Sequence, residues 1–197
     1  MNNTQLKKSE YTLNPNEITT LLNSTKSYRN KLILECLYYG GMRVSEVQNL
    51  EIQHINFDRN TIDIMKSKFN KTRTIPIIDS NFKSDLRHYI GKKSSGPLFD
   101  IKIRMMQRVV AETAKLCNIN HPDPNAKEIN CHLFRHSIAR HLKSCGYQLE
   151  WIQKFLGHNN IATTADSYGT LSLNEMQLIM VQKSGDKALL PYKEGKE

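Results

Sequence analysis

At 197 residues the chain suffices for one domain with a real core, or one and a small appendage, and its 39% hydrophobic and 24% charged residues are ordinary for a globular protein. Its 28 Lys and Arg against 19 Asp and Glu leave a formal charge of +9, a balance that points to a polyanion, most often nucleic acid. No apolar run is long enough to span a bilayer, and the polar start MNNTQLKKSEYTL lacks the apolar region of a signal peptide, so a cytoplasmic protein with no membrane partner is expected, nucleoid-associated if prokaryotic.

Residues 1–11 read as a polar arm. Asn14-Pro15-Asn16-Glu17 opens a helix that should run to Leu22 or Asn23, with Asn14 as cap, Pro15 in the first turn and Glu17 closing a capping box. A second helix is expected from Ser27 to Tyr39, where Leu32, Ile33, Cys36, Leu37 and Tyr38 make an apolar stripe. Gly40-Gly41 stops it, and a short helix from Val44 to Leu50 follows at once. The period then changes. Ile52–Phe57, Thr61–Met65 and Thr72–Ile77 read as three strands of an antiparallel meander, joined by the turn at Asp58-Arg59-Asn60 and by Ser67–Lys71. Helical signals resume from Asp79-Ser80 to Ile90, and further helices are expected at 102–117, 132–145, 148–156 and 173–182. Gly91–Pro97 is too short for a domain linker, and Asn118–Asn130 is a mostly polar loop. The class is α+β: mainly α-helical with a small three-stranded antiparallel sheet, over 12–184, with a flexible tail at 185–197.

The four cysteines, Cys36, Cys117, Cys131 and Cys145, form no C-x-x-C pair, and free thiols are expected. Cys117, His121, Cys131 and His136 follow none of the usual zinc-ligand spacings, so no metal is expected.

The chemistry-bearing residues are weak one by one. Arg43 stands at a sharp junction between two helices, where a planar fork of donors can grip phosphate; it can equally close a local ion pair with Glu46. Lys66, Lys68, Lys71 and Arg73 cluster on the second strand connection, suited to a DNA backbone or simply a solvated basic turn. His132 and Arg135 lie three apart on one helix, so they share a side that Leu133 and Phe134 do not. His136, Arg140 and His141 are supporting or surface residues, with Arg140 a candidate DNA contact. Gly157 ends a helix and presents His158. Tyr168 is a nucleophile only if something takes its proton; most tyrosines use the hydroxyl as a polar handle. Together, cations, imidazoles and one phenol are the parts needed to attack a phosphodiester without a metal.

In order, Arg43, Lys68, His132, Arg135, His158 and Tyr168 resemble the catalytic residues of the tyrosine recombinases, the phage integrase family. G-M-R-V-S-E-V looks like the family's first arginine motif, S-K-F-N-K-T-R-T-I-P-I its β-hairpin lysine motif, H-L-F-R-H its His-x-x-Arg box, and L-G-H its histidine-or-tryptophan position. The resemblance covers about residues 12–182. It implies cleavage and rejoining of double-stranded DNA through a 3′-phosphotyrosyl bond to Tyr168, with no ATP, metal or other cofactor. It gives Arg43 and Arg135 the non-bridging oxygens, Lys68 the leaving 5′-oxygen, His132 the tyrosine proton and His158 a phosphate oxygen. It also implies self-association on DNA as a tetrameric synapse, in which the stripe Leu173, Met176, Ile179 and Met180 docks on a neighbour or on its own core.

Two features depart from the family pattern. Met1 falls almost at the start of the catalytic domain, without the usual N-terminal DNA-clamping domain, so either a minimal recombinase or a fragment is expected. The run from His158 to Tyr168 is one residue longer than the family's, and carries Asp166 beside the nucleophile. The alternatives are a non-catalytic DNA-binding regulator of recombination and a type IB topoisomerase, whose fold and chemistry are related.

Overall fold

A computed structural model describes residues 11–65 and 73–157. Helix α1 (Pro15–Asn23) starts on the expected capping box: Asn14 accepts from the Glu17 N–H at 2.9 Å and Glu17 accepts from the Asn14 N–H at 2.7 Å. Helix α2 (Tyr28–Tyr38) is the axis of the molecule. Every residue from Leu32 to Tyr38 is buried, and the helix packs against α1, α3 (Val44–Gln48), α4 (Ser80–Ile90), α5 (Ile103–Leu116) and α6 (Cys131–Ser144). An all-round buried helix has neighbours on every side, which is why its apolar residues exceed one stripe. Leu37, Phe134 and Phe99 are among the fully enclosed side chains of the common core.

Strands β1 (Ile55–Asn56), β2 (Thr61–Ile64) and β3 (Arg73–Pro76) pair antiparallel in the order β1-β2-β3. Ile55 opposes Ile62 and Ile62 opposes Ile75, so the three isoleucines share the buried face. The first strand is shorter than expected, because Ile52–His54 forms a 3-10 turn. The chain just before it is committed elsewhere. Ile52 donates its N–H to Gly96 at 2.9 Å, the Leu50 carbonyl accepts from Leu98 at 2.8 Å, and Glu51 bridges to Pro97. The same pairing ends α3 at Gln48 rather than at Leu50. The end of the Gly91–Pro97 loop thus has a partner that local composition does not reveal.

Helix α6 is tied to the entering chain by a buried hydrogen bond of 2.9 Å from the Leu13 N–H to the Ser137 hydroxyl. Helix α7 (Leu149–Leu156) packs on α6 and on β3. It ends at Gly157 in the left-handed conformation, φ +69° and ψ +44°, as its glycine predicts. The helix expected at 173–182 lies outside the described residues. No helix among the described residues is long and apolar enough to cross a membrane.

Candidate active site

Three elements, α3, β3 and α6, bring guanidiniums to one carboxylate. At the end of α2, Gly41 takes φ +54°, and a Cβ there would stand 2.8 Å from Phe155 Cε1 and 2.9 Å from Leu156 Cδ2 of α7. Only glycine allows both the turn and this close approach. Two residues later Arg43 sits at the N-cap of α3, its backbone extended at φ −73° and ψ +152°. Its N–H donates to Glu46 Oε2 at 2.7 Å and its Nη1 to Glu46 Oε1 at 3.0 Å. Glu46 thereby closes the N-terminus of α3 on itself, as an acidic residue at that position can. The Arg43 side chain keeps 37% of its surface exposed, so it faces outward from this anchor.

Arg135 comes from the second turn of α6 and is 2% exposed. Its Nη1 donates to the carbonyl of Gly41, its Nη2 to the carbonyl of Leu156 at 2.6 Å, and its Nη1 lies 3.9 Å from Glu46 Oε2. The end of α2, the end of α7 and the start of α3 therefore all orient this guanidinium. His132, one turn earlier on α6, is exposed on the same side. Partial burial, then the charges of Arg135 and Arg43, hold its pKa below the ordinary histidine value, which favours the neutral, proton-accepting ring. His136 packs edge-on to it with ring centroids 5.3 Å apart, and burial, His132 and Arg135 push its pKa down to about 4. Both imidazoles beside the arginines are thus neutral near pH 7.

Arg73 corrects the sequence expectation. It was expected on DNA with the lysines of its strand connection, but its side chain is only 9% exposed. Its fork holds both Glu46 oxygens, Nη1 to Oε1 at 2.6 Å and Nη2 to Oε2 at 2.8 Å, and its Nε donates to the Phe155 carbonyl at 3.0 Å. The physical reason is register: Arg73 lies two residues before the buried Ile75, on the inward face of an edge strand. That alternation was the signal in the sequence. Burial alone would raise the Glu46 carboxyl, but the Arg73 fork, the Arg43 N–H and Arg135 outweigh it and hold the pKa down to about 2. Three guanidiniums share this single carboxylate, which leaves a local cationic surplus for an anionic ligand.

The structure brings Arg43, Glu46, Arg73, His132 and Arg135 together, with His136 behind them. His141 is core instead: it is 6% exposed and its Nδ1 lies 2.7 Å from the Tyr38 hydroxyl. Arg140 is half-buried further along α6. Lys66, Lys68, Lys71, His158 and Tyr168 lie outside the described residues.

The signature of the phage integrase family matches residues 11–175, which takes in all of these positions. The chain belongs to the phage integrase family. A tyrosine recombinase of Pseudothermotoga lettingae is 34% identical over 159 residues, covering 77% of this chain and 53% of the relative. Among solved structures, that of the XerA recombinase superposes with a TM-score of 0.72 at 22% identity, over 89% of this chain and 66% of the other. The catalytic domain of bacteriophage HP1 integrase superposes with a TM-score of 0.63 at 21% identity, over 91% of this chain and 98% of the other. The mainly helical fold with its three-stranded sheet is therefore that of a phage integrase family catalytic domain. The chain spans about half the length of the curated relatives it matches, 53% and 54% for two of them.

Proposed function

We propose that this chain carries the catalytic domain of a site-specific DNA recombinase, which cleaves and rejoins duplex DNA through a 3′-phosphotyrosyl intermediate on Tyr168. The observation that carries the reading is the pair Arg43 and Arg135, held about one carboxylate with a neutral His132 beside them.

The chemistry follows from those positions. The Tyr168 oxygen attacks the scissile phosphorus, the bond from phosphorus to the 5′-oxygen breaks, and its energy is kept in the new ester, so ATP is not needed. Arg43 and Arg135 take the non-bridging oxygens, where charge builds in the transition state. Two fixed guanidiniums supply the charge stabilisation that metal ions supply in many nucleases. His132 accepts the tyrosine proton, Lys68 protonates the leaving 5′-oxygen, and His158 donates to a phosphate oxygen. Lys66, Lys71 and Arg140 add phosphate contacts, and His136 supports the His132 ring. Duplex DNA is the partner, four protomers assemble on it, and the protein works in the cytoplasm at the nucleoid.

The test is covalent trapping on genomic DNA fragments, with sequencing of the trapped ends to recover the site. The wild-type chain is expected to form a protein–DNA adduct, while Tyr168→Phe binds the recovered duplex and forms none. An adduct that persists in Tyr168→Phe rejects the nucleophile.

A further inference from the structure

We propose that Arg73 is a positioning residue of this site: anchored on the Phe155 carbonyl, its fork holds the Glu46 carboxylate in the orientation that aims Arg43 and Arg135 at the bound phosphate. The inference rests on the recombinase reading above. Arg73 is too enclosed, at 9% side-chain exposure, to serve as a DNA contact. What it does hold is the pair of oxygens that the two phosphate-facing arginines also use. Glu46 Oε1 accepts from Arg73 at 2.6 Å and from Arg43 Nη1 at 3.0 Å. Glu46 Oε2 accepts from Arg73 at 2.8 Å and from the Arg43 N–H at 2.7 Å, and lies 3.9 Å from Arg135 Nη1. A rotation of that carboxylate moves Arg43, which is bonded to it, and displaces the counter-charge that faces Arg135.

Arg73 is itself fixed by α7. Its Nε bonds the Phe155 carbonyl at 3.0 Å, and its side chain fills the space beside Gly157, where a Cβ would meet Arg73 Cδ at 2.6 Å. The glycine of the Leu-Gly-His motif thus has a second task besides its left-handed turn: it makes room for this guanidinium. Arg73 is also five residues after Lys68 in the chain.

A purely structural ion pair and a positioning role differ in their pH dependence. The charged groups facing Glu46 are Arg43 from α3, Arg73 from β3 and Arg135 from α6, with His132 beside the last. Without the Arg73 charge, Glu46 gains a proton more readily, and a neutral carboxyl neither holds Arg43 as firmly nor offers Arg135 a counter-charge. The loss in an uncharged variant therefore deepens as pH falls, while a lysine, which keeps the charge without the fork, loses rate evenly. His132 and His136 titrate in every variant, so the ratio to the wild type cancels them.

The experiment measures single-turnover adduct formation on a nicked duplex built from the trapped site, with Kd and melting temperature alongside. Arg73→Gln is expected to bind with a Kd within about 3-fold of wild type, yet to cleave about 100-fold more slowly near neutral pH, the scale of an ångström-level misplacement. From about pH 8 to about pH 5.5 its ratio to wild type should fall a further ~10-fold. Arg73→Lys should be about 10-fold slow with a flat ratio. A flat ratio in Arg73→Gln, or wild-type cleavage in it, overturns the positioning role. Should Arg73→Gln fail to fold, Arg73→Lys decides alone: wild-type cleavage in it overturns the inference. If the wild-type chain forms no adduct, the recombinase reading falls in that arm by itself and takes this inference with it.

Discussion

Glu46 shows how one buried carboxylate can gather several guanidiniums. It is 9% exposed, and its two oxygens accept from Arg43 and Arg73. Buried ion pairs gain little net stability against apolar replacements, but removing one member strands the others without a counter-charge. Glu46→Gln should therefore destabilise the fold by ~3–5 kcal/mol in urea unfolding. The pH dependence gives a sharper test. The Glu46 pKa is depressed from the ordinary 4.5 to about 2, so the native state binds the proton less readily than the unfolded chain. Its contribution to stability is complete above 4.5 and is lost as pH falls towards 2, and this acid loss should be absent from Glu46→Gln. An equal slope in the variant would show that other carboxylates set the acid limit.

At the scale of elements, the site is built from ends rather than middles. The end of α2 offers the Gly41 carbonyl, the end of α7 offers the carbonyls of Phe155 and Leu156, and the start of α3 offers Arg43. Terminal carbonyls of a helix lack intrahelical partners, and two of those on α7 are satisfied by the guanidiniums of Arg73 and Arg135. The cations thus cap the helix that leads to His158. Gly157→Ala attacks this joint twice, through its φ of +69° and through the 2.6 Å approach to Arg73 Cδ. The expected cost is about 1–3 kcal/mol from strain of this kind, read by chemical denaturation, together with slower adduct formation. Unchanged stability in Gly157→Ala would mean that α7 and Arg73 shift freely, contrary to the packing seen.

For the whole molecule, the proposed recombinase reading makes the formal charge of +9 and the cluster of site arginines the terms of association with DNA. Each phosphate neutralised releases counterions, so affinity should fall linearly with salt on logarithmic axes, with a slope of ~0.9 per contact. A slope magnitude of about 4 or more is expected from the site arginines and the lysine cluster, measured by titrating the recovered duplex at several salt concentrations. A slope near zero would contradict binding through the phosphate backbone.

Much of this protein was legible in the order of its residues. Local signals placed the capping box at Asn14 and Glu17, the stop at Gly40-Gly41, the three strands and the left-handed end at Gly157, because caps, turns and alternation act within a few residues. Spacing along one helix likewise puts His132 and Arg135 on one side, and the three-residue step from Arg43 to Glu46 allows their local pair. Tertiary structure decided what crosses between elements. The 3-10 turn at Ile52–His54 reflects pairing of Leu50 and Ile52 with a loop more than forty residues away. The carbonyls that hold Arg135, and the carboxylate that claims Arg73, come from segments distant in the chain. A charged side chain on a basic strand reads as a surface cation until its face of the sheet is known. Strand alternation puts Arg73 on the face of Ile75, but only the packed α7 and the buried Glu46 carboxylate beneath that face decide what the charge meets there.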